Sequence, residues 1–466
     1  MPRTDAPPPI VAEKVPQEGT PTAPLADRLA AGRARRADVP RSAAAAWSPP
    51  ADRADPLEIL RAGDSGRLPE LVPIRYGRML ESPFTFLRGA AAVMAADLAT
   101  TPVSGIAVQA SGDAHLANFG IYGTPERNLV FDIKDFDETL PGPWEWDLKR
   151  LAASVVVAGR ANGLSAPACT DAALATARCY RERVAALAPA RQLDVWYARV
   201  DAAAVMIAVS GGSRETAERE LAQAGRREHL QSLAKLATMR DGRPRILDDP
   251  PLVAHASDSR LGDRLPTLLR RYRASLQEDR RALLGRFAIA DFARKVVGVG
   301  SVGTRCYIVL LTGNGDDDPL FLQIKEARAS VLAAHLGPSG HNNEGKRVVQ
   351  GQRLLQAASD IFLGWGGVGG THYYLRQLRD MKGGVRIPSL GAGALRAYGA
   401  SCGEALARAH ARSADAAPIA GYLGAGGAFD RAVASFAHAY ADQTERDYAA
   451  LVAAVKAGRV AATTGV

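Results

Sequence analysis

The stretch Ser111–Arg150, SGDAHLANFGIYGTPERNLVFDIKDFDETLPGPWEWDLKR, decides how the rest of the chain is read. It holds five aspartates, three glutamates, one histidine and two asparagines, interleaved with glycines and aromatics. Leu129, Phe131 and Ile133 alternate with other residues and predict a buried strand that delivers carboxylates to its end. Carboxylates beside a buried strand are costly unless a cation or a basic side chain meets them. The stretch is therefore the first candidate for a chemical site.

Within it, Asp113 and Asn118 stand five residues apart in GDAHLAN, and a strand ending in a further aspartate follows. A phosphoryl-transfer site needs such an arrangement. One carboxylate accepts the proton of an attacking hydroxyl, while an amide and a second carboxylate hold Mg²⁺ against the phosphates. Asp113 is the candidate base. His115 belongs to the same catalytic loop, as a hydrogen-bonder that supports the base. Asp137 and Glu138 are open to either reading, as further ligands or as partners of basic side chains.

A second unit lies downstream. Asp291–Ala327 reads as three strands, DFARKVVGVG, TRCYIVLLTG and PLFLQIKEA. A helix is predicted over Glu344–Ala358, then strands over Ile361–Trp365 and His372–Leu378, separated by GGVGG. The first two strands are joined by GVGSVG, with Gly298, Gly300, Ser301 and Gly303 in the turn. A G-x-G-x-x-G between two strands, and not between strand and helix, argues against a dinucleotide site and for a loop that covers phosphates. Lys325, at the end of the apolar third strand, calls for an anionic partner.

These residues resemble a known group. GDAHLANFG is similar to the catalytic loop of protein-kinase-like phosphotransferases, especially the aminoglycoside and choline kinase branch, whose loop runs H-G-D-x-H-x-x-N. DFDETLPGPWEWDLKR resembles their metal-binding segment, followed by a buried helix whose first aspartate braces the catalytic loop. The resemblance implies ATP and Mg²⁺ as cofactors. It implies Asn118 and Asp135 as metal ligands, with Asp132 as the competitor, and Asp147 as the brace. It also implies that Lys325 meets the nucleotide phosphates, with Glu344 as its helix carboxylate (Gln350 or Gln352 as substitutes). Tyr374–Asp380 would then lie beside the adenine. Ser111 stands where the family's loop has its leading histidine. In that family the glycine loop and lysine precede the catalytic loop, whereas here they follow it. The implied fold is an α+β, two-lobed, kinase-like one with circularly permuted connectivity. The chain as a whole resembles an uncharacterised bacterial family, the domain of unknown function 2252, over roughly Pro56 to Ala450. RYGRMLESPFTFLRG, GDAHLANFG, FDIKDFDETLPGPWEWDLKRLAAS, QIKEA and RVVQGQRLLQAASDIFLGW carry that likeness.

The remainder of the chain fits around these two units. At 466 residues it exceeds the span of one growing core, so subdomains are expected. They read as a disordered tail over 1–55 holding at most a short helix at Pro24–Arg36, a helical catalytic lobe over 56–290, a small β lobe over 291–385, and helices over 386–466 returning to the helical lobe. A net charge of +9 permits an anionic ligand or a nucleic acid but requires neither, and no array of basic and aromatic residues signals nucleic-acid binding. Cys169, Cys179, Cys306 and Cys402 lack metal-type spacing and read as reduced thiols. The apolar runs are too short for a bilayer span, and no signal-peptide pattern opens the chain, so a cytoplasmic location is expected. The expected activity is transfer of a phosphoryl group from ATP to a small-molecule acceptor. Three rival readings use the same residues: a pseudokinase, a metal-dependent hydrolase, and a nucleotidyl transferase.

Overall fold

The Trp144–Ala161 helix is buried along nearly its whole length, because WEWDLKRLAASVVVAGRA places apolar or small residues on every face. It packs among three long helices, Ala166–Leu187, Ala392–Ser413 and Ala428–Lys456. The computed structural model describes residues 23–225, 236–240, 243–255, 262–378, 381 and 383–466. They form an α+β protein, about half helical, with several antiparallel sheets.

Two small sheets frame the Ser111–Arg150 stretch. Strand β1 (Ala107–Ala110) pairs with a later strand, Leu140–Pro143, while β2 (Phe119–Gly123) pairs with β3 (Leu129–Ile133). We call Leu140–Pro143 β4, and Val200–Asp201, which adds to β3, β5. The loop before β2 and the segment after β3 therefore leave the sheet side by side, tied by Lys134 N–H to the Asn118 carbonyl at 2.7 Å.

A hairpin of β6 (Ala237–Arg240) and β7 (Arg243–Ile246) precedes the larger sheet. That sheet comprises β8 (Val253–Ala254), β9 (Ala288–Lys295), β10 (Cys306–Thr312), β11 (Pro319–Ala327), β12 (Gly364–Val368) and β13 (Thr371–Gln377). Its order is β12-β13-β11-β10-β9-β8, six strands where five were expected. Strand alternation puts Leu320, Leu322 and Ile324 against the Leu265–Ala274 helix, and turns Lys325 to the opposite face. The Glu344–Leu355 helix sits between β11 and β12 in sequence. Its Val348 and Val349 join the core of the helical lobe.

Two expectations need correction. The strand predicted at Ile361–Trp365 starts at Gly364 and runs through the glycines to Val368. The Leu265–Ala274 helix lies directly on this strand. A Cβ on Gly364 would meet Tyr272 at 2.8 Å, and one on Gly366 would meet Leu268 at 2.9 Å, so glycine here marks close packing and not a loop. The disordered tail is also corrected from residue 23 onward. The Leu25–Ala34 helix packs on Ala416–Leu423, and Arg28 pairs with Asp415 at 2.6 Å. Arg36 donates to the carbonyls of Gly421 and Tyr422, and Arg53 bridges Asp97 and Asp447. Polar anchors replace the missing apolar periodicity. Residues 1–22 of the expected tail, and Arg379 and Asp380 of the expected adenine-facing segment, lie outside the described residues. No helix among the described residues is long and apolar enough to cross a membrane, and the four cysteines are free thiols.

Candidate active-site cleft

The Ser111–Asn118 loop is held from below by Asp147, on the first turn of the Trp144–Ala161 helix. Its Oδ2 accepts the Ser111 N–H at 2.6 Å and its Oδ1 the Gly112 N–H at 2.9 Å. His410 Nε2 lies 3.1 Å from the same Oδ2, and His410 Nδ1 shares a 2.8 Å hydrogen bond with the Tyr180 hydroxyl. A buried carboxylate with three partners is well satisfied. Gly112 is required twice over. Its φ is +81°, and a Cβ would lie 2.2 Å from the Glu138 carbonyl oxygen.

Asp113 then projects into a cleft. Arg150, one turn along the helix from Asp147, pairs with it, its Nε lying 2.6 Å from Oδ1. Asn118 Nδ2 donates to the Asp113 carbonyl at 2.9 Å and to its Oδ2 at 3.3 Å. Burial pushes the Asp113 carboxyl up to about 7, outweighing the pull of Arg150. His115 is 2% exposed, its Nε2 lies 3.6 Å from Asp113 Oδ2, and its Nδ1 has no partner among the described residues. Burial, reinforced by Arg150 and Arg88, holds this imidazole well below its ordinary range, so it is neutral.

Asp135 follows the end of β3 and Asp137 stands in the Phe136–Thr139 turn, and both carboxylates reach Lys325. Lys325 Nζ crosses from β11 to reach Asp137 Oδ2 at 2.6 Å and Asp135 Oδ1 at 3.5 Å. The Tyr374 hydroxyl donates to Asp137 Oδ1 at 2.6 Å, and the Ser301 hydroxyl to Asp137 Oδ2 at 3.2 Å. Burial opposes charge on both partners. The Asp135 and Asp137 carboxylates nevertheless hold Lys325 well above its ordinary value, and Lys325 and Tyr374 hold Asp137 below its own. Glu138 accepts the Val331 N–H at 2.7 Å, and burial pushes its carboxyl up.

The glycine turn closes the opposite side. Arg67 donates to the carbonyls of Gly300 (2.9 Å) and Val302 (2.5 Å), and Arg78 to that of Gly298 (2.6 Å). Leu68 N–H donates to the Gly303 carbonyl at 2.7 Å. Between turn and acidic loop lies a cleft of about 270 Å³, lined by Asp113, His115, Asn118, Asp135, Asp137, Gly298, Gly300, Ser301, Arg67 and Arg88. Its volume is near the lower end of the roughly 300–1,000 Å³ usual for small-molecule sites.

The cleft thus brings together Asp113, His115, Asn118, Asp135 and the glycine turn, with Lys325 behind them. Two sequence expectations fail. Asp132 is fully buried away from the cleft, where its carboxylate accepts from Arg408 Nη2 at 2.6 Å and from the Ala357 N–H at 2.8 Å, so it is no metal ligand here. Glu344 does not meet Lys325. It pairs with Arg347 at 2.5 Å, and Arg347 in turn donates to the carbonyls of Asp137, Thr139 and Arg328. Gln352 bonds Gln356 instead. The lysine's carboxylate is Asp137, which the sequence left open as a further ligand or as the partner of a basic side chain. Arg75, Arg78 and Arg88 separate by partner: Arg75 pairs with Asp64 at 2.6 Å, Arg78 holds the turn, and Arg88 faces the cleft.

The sequence profile of the family described as "Uncharacterized protein conserved in bacteria (DUF2252)" matches residues 67–454. The chain belongs to this family. No curated protein and no solved structure matches the chain. The DUF2252 description names no activity, so the chemistry of this member rests on the cleft itself.

Proposed function

We propose that the protein is an ATP- and Mg²⁺-dependent phosphotransferase of permuted, kinase-like architecture, acting on a small-molecule acceptor. One observation carries the reading. Lys325, buried behind the cleft, reaches Asp135, 190 residues away in the chain, at 3.5 Å, and Asp135 lines the cleft together with the glycine turn and Asp113. A hydrolase built on the acidic cluster alone has no use for the glycine turn or the lysine.

In this reading Asp113 accepts the proton of the acceptor hydroxyl, with its carboxylate aimed by Arg150 and Asn118. Lys325, kept charged by Asp135 and Asp137, offsets phosphate charge at the back of the cleft. The glycine turn, with its carbonyls fixed by Arg67 and Arg78, covers the phosphates. Asn118 and Asp135 suit a metal ion. The Asn118 amide nitrogen is engaged by Asp113, which leaves its Oδ1 without a donor among the described residues, and Asp135 is a third exposed. Among the described residues no group of three or more His, Cys, Asp or Glu could hold a metal ion. Two protein oxygens completed by phosphate and water suit Mg²⁺. The ion, when bound, would shield the charge on the phosphates.

The permuted order is the reading that fits the sequence order of the parts: the Asp113 loop precedes the glycine turn in the chain, and both line one cleft. The test is thermal stabilisation by ATP with Mg²⁺ in wild type, Asp135→Ala and Lys325→Ala, paired with product analysis. Stabilisation of wild type alone and release of ADP support the proposal. Release of pyrophosphate identifies nucleotidyl transfer, and activity unaffected by Lys325→Ala identifies a hydrolase.

A further inference from the structure

Among the described residues, Arg88 is the cation of the cleft that no acceptor meets. The other basic groups around it are engaged: Arg75 by Asp64, Arg67 and Arg78 by carbonyls of the glycine turn, Arg150 by Asp113, and Lys325 by Asp137. Arg88 has no ion pair or hydrogen bond among the described residues, and its Nε is shut off from solvent without an acceptor. The carboxylates of Asp113, Glu81 and Asp135 act on it only from a distance, against the burial that disfavours its charge. A covered guanidinium that no protein acceptor meets is suited to a ligand anion.

Its surroundings point the same way. His115 lines the same cleft as Arg88, its buried Nδ1 has no hydrogen-bond partner among the described residues, and Phe84, one helical turn before Arg88, lies near-perpendicular to its ring with centroids 6.4 Å apart. On the facing lip, the amide N–H groups of Val299, Gly300 and Ser301 have no acceptor among the described residues. Successive free amides around a glycine turn form an anion-binding concavity. Asp113, the carboxylate that acts on Arg88 most strongly, already has Arg150.

We propose that Arg88, with His115 and the Val299–Ser301 amides, forms an oxyanion subsite beside Asp113 that receives a phosphate-type group. Its role in catalysis rests on the phosphotransferase reading, although its chemistry does not. Two sources could supply the anion: the terminal phosphate of the nucleotide, or a charged group on the acceptor itself.

The experiment is calorimetric titration of the full chain with inorganic phosphate, in wild type, Arg88→Met and Arg88→Lys, each checked for folding by circular dichroism. Wild type binds. Arg88→Met binds about ten- to a hundredfold more weakly, the loss expected for a charge-assisted contact. Arg88→Lys falls between, because it keeps the charge and loses the fork. It also carries the comparison if the methionine variant does not fold. Titrations beside saturating ADP·Mg²⁺ and beside a β,γ-imido ATP analogue separate the sources. Phosphate excluded only by the analogue identifies the nucleotide's terminal phosphate, and phosphate retained beside both identifies the acceptor. Equal binding by wild type and Arg88→Met, or no binding by folded wild type, overturns the subsite. Arg88-dependent phosphate binding without any nucleotide binding would leave the subsite standing and sink the phosphotransferase reading.

Discussion

Lys325 and Asp137 form the pair on which the cleft closes, and its removal has a calculable consequence. The Lys325 side chain is 3% exposed and that of Asp137 27%, with 2.6 Å between charged atoms. Asp137→Asn keeps the shape and removes the charge. Stripping one partner from a buried pair costs about 3–5 kcal/mol, because the remaining charge stays desolvated. Two features bring the expected value to the low end, about 3 kcal/mol: Asp137 is partly solvated, and Asp135 stays 3.5 Å from the ammonium. The assay is denaturant unfolding at pH 7 of wild type, Asp137→Asn, Lys325→Met and the double variant. The double variant should lose less than the sum of the singles, with a coupling of about 1.5 kcal/mol or more. The pH dependence has a definite sign. Lys325 has its value raised in the folded state, so its contribution is complete below the unfolded lysine value and is lost as pH rises through the folded one. The gap between wild type and Asp137→Asn should therefore be flat near neutrality and narrow in strong alkali. Additivity within about 0.5 kcal/mol would refute the pairing as an energetic unit.

Four further outcomes follow from the geometry. Transfer should rise with pH to a plateau with a midpoint near 7, because Asp113 works deprotonated and its carboxyl is pushed up to about 7; Asp113→Asn should lose about 10²–10⁴ in rate on the plateau, and the gap should narrow below the midpoint. Asp132→Asn should destabilise by about 3 kcal/mol or more in thermal melts, because it strips Arg408 of its partner, whereas Asp135→Asn should melt within about 1 kcal/mol of wild type and raise the Mg²⁺ concentration needed for half-maximal rate. Gly112→Ala should fail to accumulate as folded protein on size exclusion, since the new Cβ meets the Glu138 carbonyl at 2.2 Å. His410→Phe fills the cavity but withdraws the donor to Asp147, so steady-state kinetics should show kcat falling with little change in nucleotide affinity.

Much of the site was legible because it is local in sequence. Asp113, Asn118 and Asp135 come from one stretch, and strand alternation alone turns Lys325 away from the face of Ile324. The third strand runs over Pro319–Ala327 as the pattern predicts. The failures share a cause, which is a partner far along the chain. The family resemblance made Asp132 the competitor of Asp135, but Asp132 is fully buried in β3, and Arg408, 276 residues away, neutralises it. The segment 23–55 lacks apolar periodicity and still orders, because its arginines find Asp97, Asp415 and Asp447. Glu344 was readable in principle. Arg347 stands three residues on, and pairs at that spacing meet on a helix surface.

The departure at Ser111 acquires a physical meaning once the brace is seen whole. Ser111 is 1% exposed and its hydroxyl has no partner among the described residues, so the loop draws no side-chain support from them at this position. Support comes instead from Asp147, whose carboxylate takes both loop amides and is itself fixed by His410, 263 residues away. Glu344 acts at a similar remove, since it orients Arg347, which holds the carbonyls of Asp137 and Thr139. In both cases a charged group reaches the reactive side chains through the backbone beside them. A site braced this way is set by the docking of the Glu344–Leu355 and Ala392–Ser413 helices, not by its own loop. Under the permuted architecture proposed above, this bracing is what lets the order of the two units along the chain differ while the cleft keeps its shape.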